Sequence, residues 1–388
     1  MRMFEPVLFL AGVPAVNSTL YHRIQFTVGD CAVWIGNFPG SGKAESLLLV
    51  RDIEMGRAKK VAHADRVACA ADFTPNGGLD GDRDTAMAQG AAEALCRAGV
   101  ECVKVDRTLP YIFAWHLQER GIALDYDADF GVIERRIKSE KEIEYLRTAQ
   151  TMTMEAMRMA CTWIGTAEAN SDGILHQDGE VLTSERVRRR ITRFLVDRGF
   201  SNSHDSIVVT TPHVADCHHY GTGPLKKDLP VIVDIFPLDN ATKYNGDCTR
   251  TVVNGTPSDE VKRMHAAVVE AKAAGCAALR AGVTGEEVHL ATVDVIKAHG
   301  FVFKPGSCEE GDPVPAMRHG TGHGIGLDVH EPILLSEGGG KIFANEVFTV
   351  EPGIYSATLG GIRIEDMAVA QEGGSEVLGS LQEELHWE

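Results

Sequence analysis

The spacing of apolar residues changes near residue 135. Before it, short apolar runs such as CAVWIG, SLLLV and VECVKV read as strands. They alternate with DTAMAQGAAEALCRAG, which reads as a helix. This alternation predicts an α/β unit. The opening MRMFEPVLFLAGVPA holds one short apolar run with Glu5 and Pro6 just ahead of it, which predicts a buried first strand and not a secretory signal. After a charged connection, RRIKSEKEIEYLRTAQTMTMEAMRMA reads as a long helix. The domain boundary is placed there, giving domains 1–135 and 136–388.

Beyond the boundary one order of elements occurs twice. A helix over about 139–160 is followed by a second, SERVRRRITRFLVDRG, and by two strands, PVIVDIF and GDCTRTVV. The second round has SDEVKRMHAAVVEAKAAGCAALRAG and then TGEEVHLATVDVIKAHG, where Thr284 and Glu287 fit a capping box. Its strands are EVFTVEPGIY and GIRIEDMAVA. Helix, helix, strand pair, twice, predicts an internal duplication about a pseudo-twofold axis. Each strand pair carries two acids at similar spacing: Asp234 and Asp247 are 13 apart, Glu351 and Glu365 are 14 apart.

Composition narrows the function classes. A net charge of −17 argues against a nucleic-acid footprint, which needs a basic face. Nine scattered cysteines, odd in number and without C-x-x-C, predict reduced thiols and a cytoplasmic location. No stretch approaches the ~18 apolar residues of a membrane span.

Several motif-like stretches fail on inspection. NFPGSGKAES would need Gly at 37 and Ser or Thr at 44 to be a phosphate loop, and has Asn37 and Ala44; a Gly/Pro hairpin is the better account. DGDRD at 80–84 starts like a calcium loop, but Thr85 replaces the required glycine and Ala91 the twelfth-position acid. It reads as the acidic flank of the next helix. H-E-x-x-H and G-x-S-x-G are both absent.

The four paired acids survive. Asp234 lies inside VIVDIF, Glu351 in FTVEPG and Glu365 in IRIED. A carboxylate in an apolar strand is costly unless it is paired or binds a cation. Four on two symmetric strand pairs match the jaws of a two-metal clamp. The stretch RHGTGHGIGLDVHEP adds His319, His323 and His330, each open to reading as ligand, acid/base group or polar filler. Its alternating glycines disfavour a helix and predict extended backbone running close beside something else.

Four stretches, in this order and spacing, resemble the pita-bread metallopeptidases: VDIFPLDNATKYNGDCTRT, HGTGHGIGLDVHE, VEPGIY and IRIED. That family comprises methionine aminopeptidase, Xaa-Pro dipeptidase (prolidase) and aminopeptidase P. The resemblance is strong over about 136–388. Over the first third it is weaker and points to the smaller α/β domain of the proline-specific branch. It implies an α+β class: a pita-bread (creatinase/aminopeptidase) catalytic domain behind a creatinase N-terminal-like domain. By resemblance Asp234, Asp247, His323, Glu351 and Glu365 hold two divalent metal ions, with Asp247 and Glu365 bridging. The donor set suits Mn²⁺, with Co²⁺, Zn²⁺ or Fe²⁺ as alternatives. His330 is implied to contact substrate and the tetrahedral intermediate, Glu351 to shuttle the proton, and His319 to line the pocket. His218, favoured over His219, is the implied upstream histidine, and Arg363 orients a carboxylate.

The implied activity is hydrolysis of the Xaa-Pro bond at the N-terminus of short peptides by a metal-bridging hydroxide. The implied partner is a short peptide with proline second, acted on by a homodimer with no nucleic-acid or membrane partner. Against the family pattern, DIFPLD and the spacing of 13 lengthen the turn between the first two acids, which reshapes the pocket rim. Two alternatives stay open. One is a same-fold enzyme acting on a small non-peptide, a creatinase-like hydrolase or a metal-dependent lyase. The other is a non-catalytic pita-bread binding module.

Overall fold

The computed structural model describes residues 5–40, 44–306 and 314–388. The chain divides into two compact units, Met1–Arg135 and Arg136–Glu388. In the first, strands β1 (Leu8–Gly12), β2 (Ala32–Pro39), β3 (Ala44–Leu49), β4 (Arg66–Ala68), β5 (Cys102–Val105) and β6 (Ala123–Tyr126) form one sheet in the order β4-β3-β2-β1-β5-β6. The helices are α1 (Ser18–Ile24), α2 (Met55–Val61), α3 (Arg83–Arg97) and α4 (Tyr111–Glu119).

Period-two alternation builds two faces. Phe9, Ala11, Val33, Ile35, Leu47 and Leu49 pack with Met87, Ala91 and Leu95 of α3 and Phe113 and Leu117 of α4. Leu10, Ala32, Trp34 and Leu48 pack with Leu20, Ile24 and Ala58 of α1 and α2. The apolar run near the N-terminus is thus an inner strand, paired with β2 and β5. The rejected phosphate loop is a hairpin, with Phe38 opposite Glu45 and Pro39 opposite Ala44; its tip, residues 41–43, lies outside the described residues. The rejected calcium loop caps α3, where the Asp82 side chain accepts from the Thr85 N–H.

A short helical turn, α5 (Ile133–Arg136), crosses the boundary. The second unit opens with α6 (Glu140–Gly165), started by a Ser139/Glu142 capping box. Its buried stripe, including Ile143, Leu146, Ala149, Gln150, Met157, Cys161 and Ile164, recurs at helical spacing. A small sheet of β7 (Glu168–Ala169), β8 (Leu175–Gln177) and β9 (Glu180–Val181) separates α6 from α7 (Ser184–Val196). Then come β10 (Phe200–Ser201), β11 (Ile207–Val209), β12 (Pro230–Ile235), β13 (Leu238–Asp239) and β14 (Cys248–Val253). β11, β12 and β14 make an antiparallel sheet whose Val231, Val233, Ile235 and Val252 pack on α6 and α7.

The second round begins with α8 (Asp259–Ala278) and α9 (Gly285–Ala298), the latter started by the expected Thr284/Glu287 capping box. Strands β15 (Val302–Phe303), β16 (Ala316–Met317), β17 (Gly322–Gly324), β18 (Glu331–Leu335), β19 (Val347–Val350), β20 (Gly353–Ser356), β21 (Gly360–Arg363), β22 (Asp366–Gln371) and β23 (Gly374–Val377) follow. They form two sheets, β15-β16-β20-β21 and β18-β17-β19-β22-β23.

The structure departs from the sequence expectation here. EVFTVEPGIY is not one strand: the chain leaves β19 at Glu351 and enters β20 in the other sheet. GIRIEDMAVA likewise breaks between β21 and β22, at Ile364 and Glu365. Pro352 has no N–H to continue a ladder, which accounts for the first break.

The eight described cysteines are all free, and Cys308 lies outside the described residues. Among the described residues no helix is long and apolar enough to cross a membrane.

Candidate active site

Both strand pairs deliver their acids to one place. β12 carries Asp234 within its ladder, and Asp247 sits one residue before β14. Glu351 follows β19 directly and Glu365 precedes β22 directly. A backbone bond ties the two pairs together: the Glu365 N–H donates to the Thr249 carbonyl at 3.1 Å. His323, from the centre of β17, joins them. Its Nε2 lies 3.4 Å from Glu351 Oε1 and 3.9 Å from Asp247 Oδ2. Donor atoms of Asp247, His323 and Glu365 all lie within 4.8 Å of one another, and all three residues are buried.

The electrostatics of this cluster are costly without a cation. Burial, then Glu365 and Asp234, hold Asp247 well above the usual carboxylate range. Burial, then Glu351 and Asp234, do the same to Glu365. Burial and the Asp234 charge, opposed by Arg363, push Glu351 up to about 7. Asp234 Oδ1 is buried and has no hydrogen-bond partner among the described residues. The Nδ1–H of His323 faces the Gly324 carbonyl at 3.1 Å, which makes Nδ1 the donor and turns the Nε2 lone pair toward the acids. Burial lowers the pKa of that ring, so it stays neutral. An orphaned carboxylate oxygen, clustered carboxylates and an imidazole lone pair are the donor set of a divalent-cation site.

Around the cluster runs a chain of hydrogen bonds. Arg363, fully buried at the end of β21, donates from Nη2 to Asp234 Oδ2 (2.6 Å), from Nη1 to the Tyr355 hydroxyl (2.9 Å) and from Nε to Thr249 Oγ1 (3.3 Å). Burial opposes its charge, but Tyr355, Asp234 and Glu351 more than offset that, so it stays protonated. His319 meets the Tyr355 hydroxyl through Nε2 at 2.7 Å and the Gly320 carbonyl through Nδ1 at 2.7 Å. Burial and Arg363 drive its pKa down to about 3. A neutral ring with Nδ1–H on the carbonyl accepts the tyrosine proton at Nε2, so both nitrogens of His319 are occupied.

His330 stands edge-on to His323, with ring centroids 4.3 Å apart, and burial and His323 lower its pKa. His218 is exposed and close enough for its charge to disfavour protonation of both His319 and His330. His219 turns elsewhere: its ring stacks on His213 at 4.5 Å and its Nδ1 accepts from the Gly221 N–H.

The glycines of HGTGHGIG run close beside a neighbour, as their spacing suggested, and that neighbour is protein backbone. A Cβ on Gly322 would collide with the Thr349 carbonyl of β19, and one on Gly324 would lie 3.0 Å from the carbonyls of Glu331 and Pro332. The close approach is to adjoining backbone.

Sequence reasoning missed the supports. Thr249 donates to Glu365 Oε2 at 2.7 Å and Thr349 to Glu351 Oε1 at 3.3 Å. Gln150 on α6 grips the Asp247 backbone twice, accepting from its N–H at 2.9 Å and donating to its carbonyl at 2.7 Å. Arg250, fully buried, donates to the Glu365 carbonyl (2.6 Å), the Asp366 carboxylate (2.7 Å) and the carbonyls of Leu381 and Gln382. Lys138 and Glu331 form a buried ion pair at 2.8 Å, and Glu331 Oε1 accepts from the Leu327 and Asp328 N–H groups in the turn leading to His330. The signals were present: a polar residue inside each apolar stretch. What each one touches was not.

Comparison with known proteins gives the family and the fold. The model of metallopeptidase family M24 matches residues 144–372. The uncharacterized peptidase YqhT of Bacillus subtilis is 31% identical over 65% of this chain, a match that spans 64% of that relative's own length. An Xaa-Pro dipeptidase of Pyrococcus furiosus is 27% identical over 74% of this chain and 75% of its own. Among solved structures, the prolidase from Pyrococcus horikoshii OT3 superposes with a TM-score of 0.75 over 98% of this chain and 95% of that one, at 22% identity. The shared architecture is the pita-bread fold.

Proposed function

We propose, for a chain that belongs to metallopeptidase family M24, that the buried acid cluster holds two divalent cations and hydrolyses the Xaa-Pro bond at the N-terminus of short peptides. One observation carries the reading. Four carboxylates and a neutral histidine converge on a buried point where burial and mutual repulsion raise Asp247, Glu351 and Glu365 above the ordinary carboxylate range and one oxygen of Asp234 is orphaned. Asp234, Asp247, His323, Glu351 and Glu365 would hold the cations. Hard oxygen donors with a single imidazole favour manganese, then cobalt, zinc or iron. When bound, such a pair supplies an acidified water and a Lewis acid for the scissile carbonyl.

The remaining steps belong to the chain's own residues. Glu351 moves the proton: its carboxylate takes one from the attacking water and returns it to the nitrogen that leaves. His330, kept neutral, has an N–H to donate to the oxygen that gains charge. His218, exposed, lies near enough to His319 and His330 for its charge to act on both. His319 acts through Tyr355, which together with Asp234 and Thr249 fixes Arg363; it is a positioning residue. The Xaa-Pro preference rests on the Pyrococcus furiosus relative named for that activity.

The test is a panel of Xaa-Pro, Xaa-Pro-Xaa and proline-free peptides, assayed with metal-stripped protein and after addition of Mn²⁺ or Co²⁺. Stripped protein is expected to be inactive and the metals to restore cleavage of the proline peptides. Cleavage unaffected by a chelator would overturn the cation reading. Restored cleavage with no preference for proline would overturn the specificity.

A further inference from the structure

A second group of donors lies outside the acid cluster. Asp216, Cys217 and His218 are consecutive, and one side-chain donor atom from each lies within 4.8 Å of the other two. Three successive residues of an extended chain would send their side chains to alternate sides. Here they follow a tight helical turn, His213–Ala215, and stay gathered. The geometry is held from several directions. Asp216 Oδ1 accepts from the His218 N–H at 3.0 Å. The Cys217 carbonyl accepts from Arg363 Nη1 at 3.3 Å. The flanking His213 and His219 rings are stacked.

We propose that Asp216, Cys217 and His218 form a third cation site, selective for a soft or borderline ion such as Zn²⁺ or Cd²⁺, on the rim of the acid cluster. Donors on one ion at about 2.0–2.3 Å each must lie within about 4.4 Å of one another. In the tetrahedral geometry of such ions the donors lie about 3.3–3.8 Å apart, so side-chain movement of up to about an ångström closes the group around an ion. Thiolate, imidazole and carboxylate together favour zinc-like ions, whereas the all-oxygen-plus-one-imidazole cluster inside favours harder ones. The two sites therefore sort metals: protein loaded with Mn²⁺ keeps the rim group available. Coordination releases the Cys217 thiol proton to solvent and places the sulfur's electron pair on the ion. It also commits the His218 ring, which lies near enough to His319 and His330 for its charge to act on both. The rim site is thus inhibitory, and only that consequence rests on the peptidase reading.

The experiment uses the full chain loaded with Mn²⁺, titrated with Cd²⁺ and followed by the cadmium–thiolate charge-transfer band, beside Cys217→Ser and the exposed-residue variant Asp216→Asn. The wild type is expected to develop a band that saturates at one equivalent per chain. Cys217→Ser should lose it, and Asp216→Asn should need more Cd²⁺ to reach it. In parallel, Zn²⁺ inhibition of the Mn²⁺ enzyme should shift to higher concentration in Cys217→Ser by about tenfold or more, since losing even a ligand's own support costs 10–100-fold in affinity. An identical band in wild type and Cys217→Ser, or no band in the wild type, overturns the site. Band intact but Zn²⁺ inhibition unchanged in Cys217→Ser overturns the inhibitory role. The band does not depend on any peptide being cleaved, so failure of the peptidase reading leaves this test intact.

Discussion

Asp234 and Asp247 belong to a strand pair that runs unbroken, with Pro230–Ile235 facing Cys248–Val253 residue by residue. Glu351 and Glu365 belong to a pair whose register ends at Val350 opposite Asp366, and each glutamate occupies the break where the chain changes sheets. The duplication copied the elements but not the means of holding the acids. In the first pair the ladder positions Asp234, and Asp247, one residue before β14, is clamped through its backbone by Gln150 of α6. In the second the longer glutamates reach out of irregular backbone. They depend on side chains instead: the hydroxyls of Thr249 and Thr349, and Arg250 beneath the Glu365 carbonyl. A regular sheet fixes a side chain through its backbone; a strand break needs added anchors.

Removing one acid from each pair is the largest break. Asp247→Ala and Glu365→Ala are both expected to empty at least one cation position and to lower activity by more than about 100-fold, beyond the 10–100-fold that losing a ligand's support costs. Elemental analysis of the purified variants checks this. Full occupancy in Asp247→Ala would remove that residue from the cation site altogether.

The anchors come next. Arg250→Met leaves the buried Asp366 carboxylate without one of its cations, and breaking a buried pair from one side costs about 3–5 kcal/mol. Gln150→Leu on the first pair leaves one backbone N–H and one carbonyl unpaired, at about 1–3 kcal/mol each. Because Arg250→Met also leaves the carbonyls of Glu365, Leu381 and Gln382 without their donor, thermal melts with metal removed should show the larger loss for Arg250→Met, accompanied by loss of metal affinity. Equal losses would mean that the strand break is held by something other than this arginine.

How much of this could be read in the sequence follows the same division. The unbroken pair was legible, because VIVDIF and GDCTRTVV show their burial locally. The duplication and the long helix were legible for the same reason. The broken pair was misread as two continuous strands, since FTVEPGIY keeps its apolar character across the change of sheet and only Pro352 marks it. Nothing in GDCTRTVV marks Arg250 as an anchor, because its partners Leu381 and Gln382 lie 131 and 132 positions away. The sheet of β7, β8 and β9 is too short and too polar for periodicity to register. Of the histidines, His323 and His330 stand against each other beside the acids, but that both nitrogens of His319 are taken, by Gly320 and Tyr355, is tertiary information alone.

Acidity separates the metal-free state from the metal-bound one. Burial and neighbouring charge raise Glu351 to about 7, and Asp247 and Glu365 also lie above their ordinary range. A carboxyl with a raised folded-state pKa binds its proton in the native state after the unfolded chain has released it. Metal-free stability therefore falls as pH rises from the ordinary carboxylate range, about 4, to about 7. For Glu351 alone this amounts to about 3 kcal/mol. Cations replace those protons, so the rise in melting temperature on adding Mn²⁺ should be larger at pH 8 than at pH 5, by roughly 2–4 °C for each kcal/mol. A metal-induced rise independent of pH would show that the acids are not protonated in the free protein.

The smallest and sharpest test sets the two threonines against each other. Each sits two residues from an acid and turns its hydroxyl into the cluster, but their roles differ. Thr249 donates to Glu365 at 2.7 Å while accepting from Arg363 Nε at 3.3 Å, so it links the second pair's glutamate to the arginine that holds Asp234. Thr349 donates to Glu351 over a longer 3.3 Å and accepts from the His323 N–H at 3.1 Å. Valine removes the hydroxyl while keeping the shape. Loss of a ligand's hydrogen-bond partner lowers metal affinity by about 10–100-fold, and Thr249→Val is expected toward the upper end with Thr349→Val toward the lower. Competition with a chelator of known affinity measures both. If Thr349→Val proved the more damaging, the weight of the second pair would rest on His323 and Glu351, and the link through Arg363 to Asp234 would not be what joins the two halves of the site.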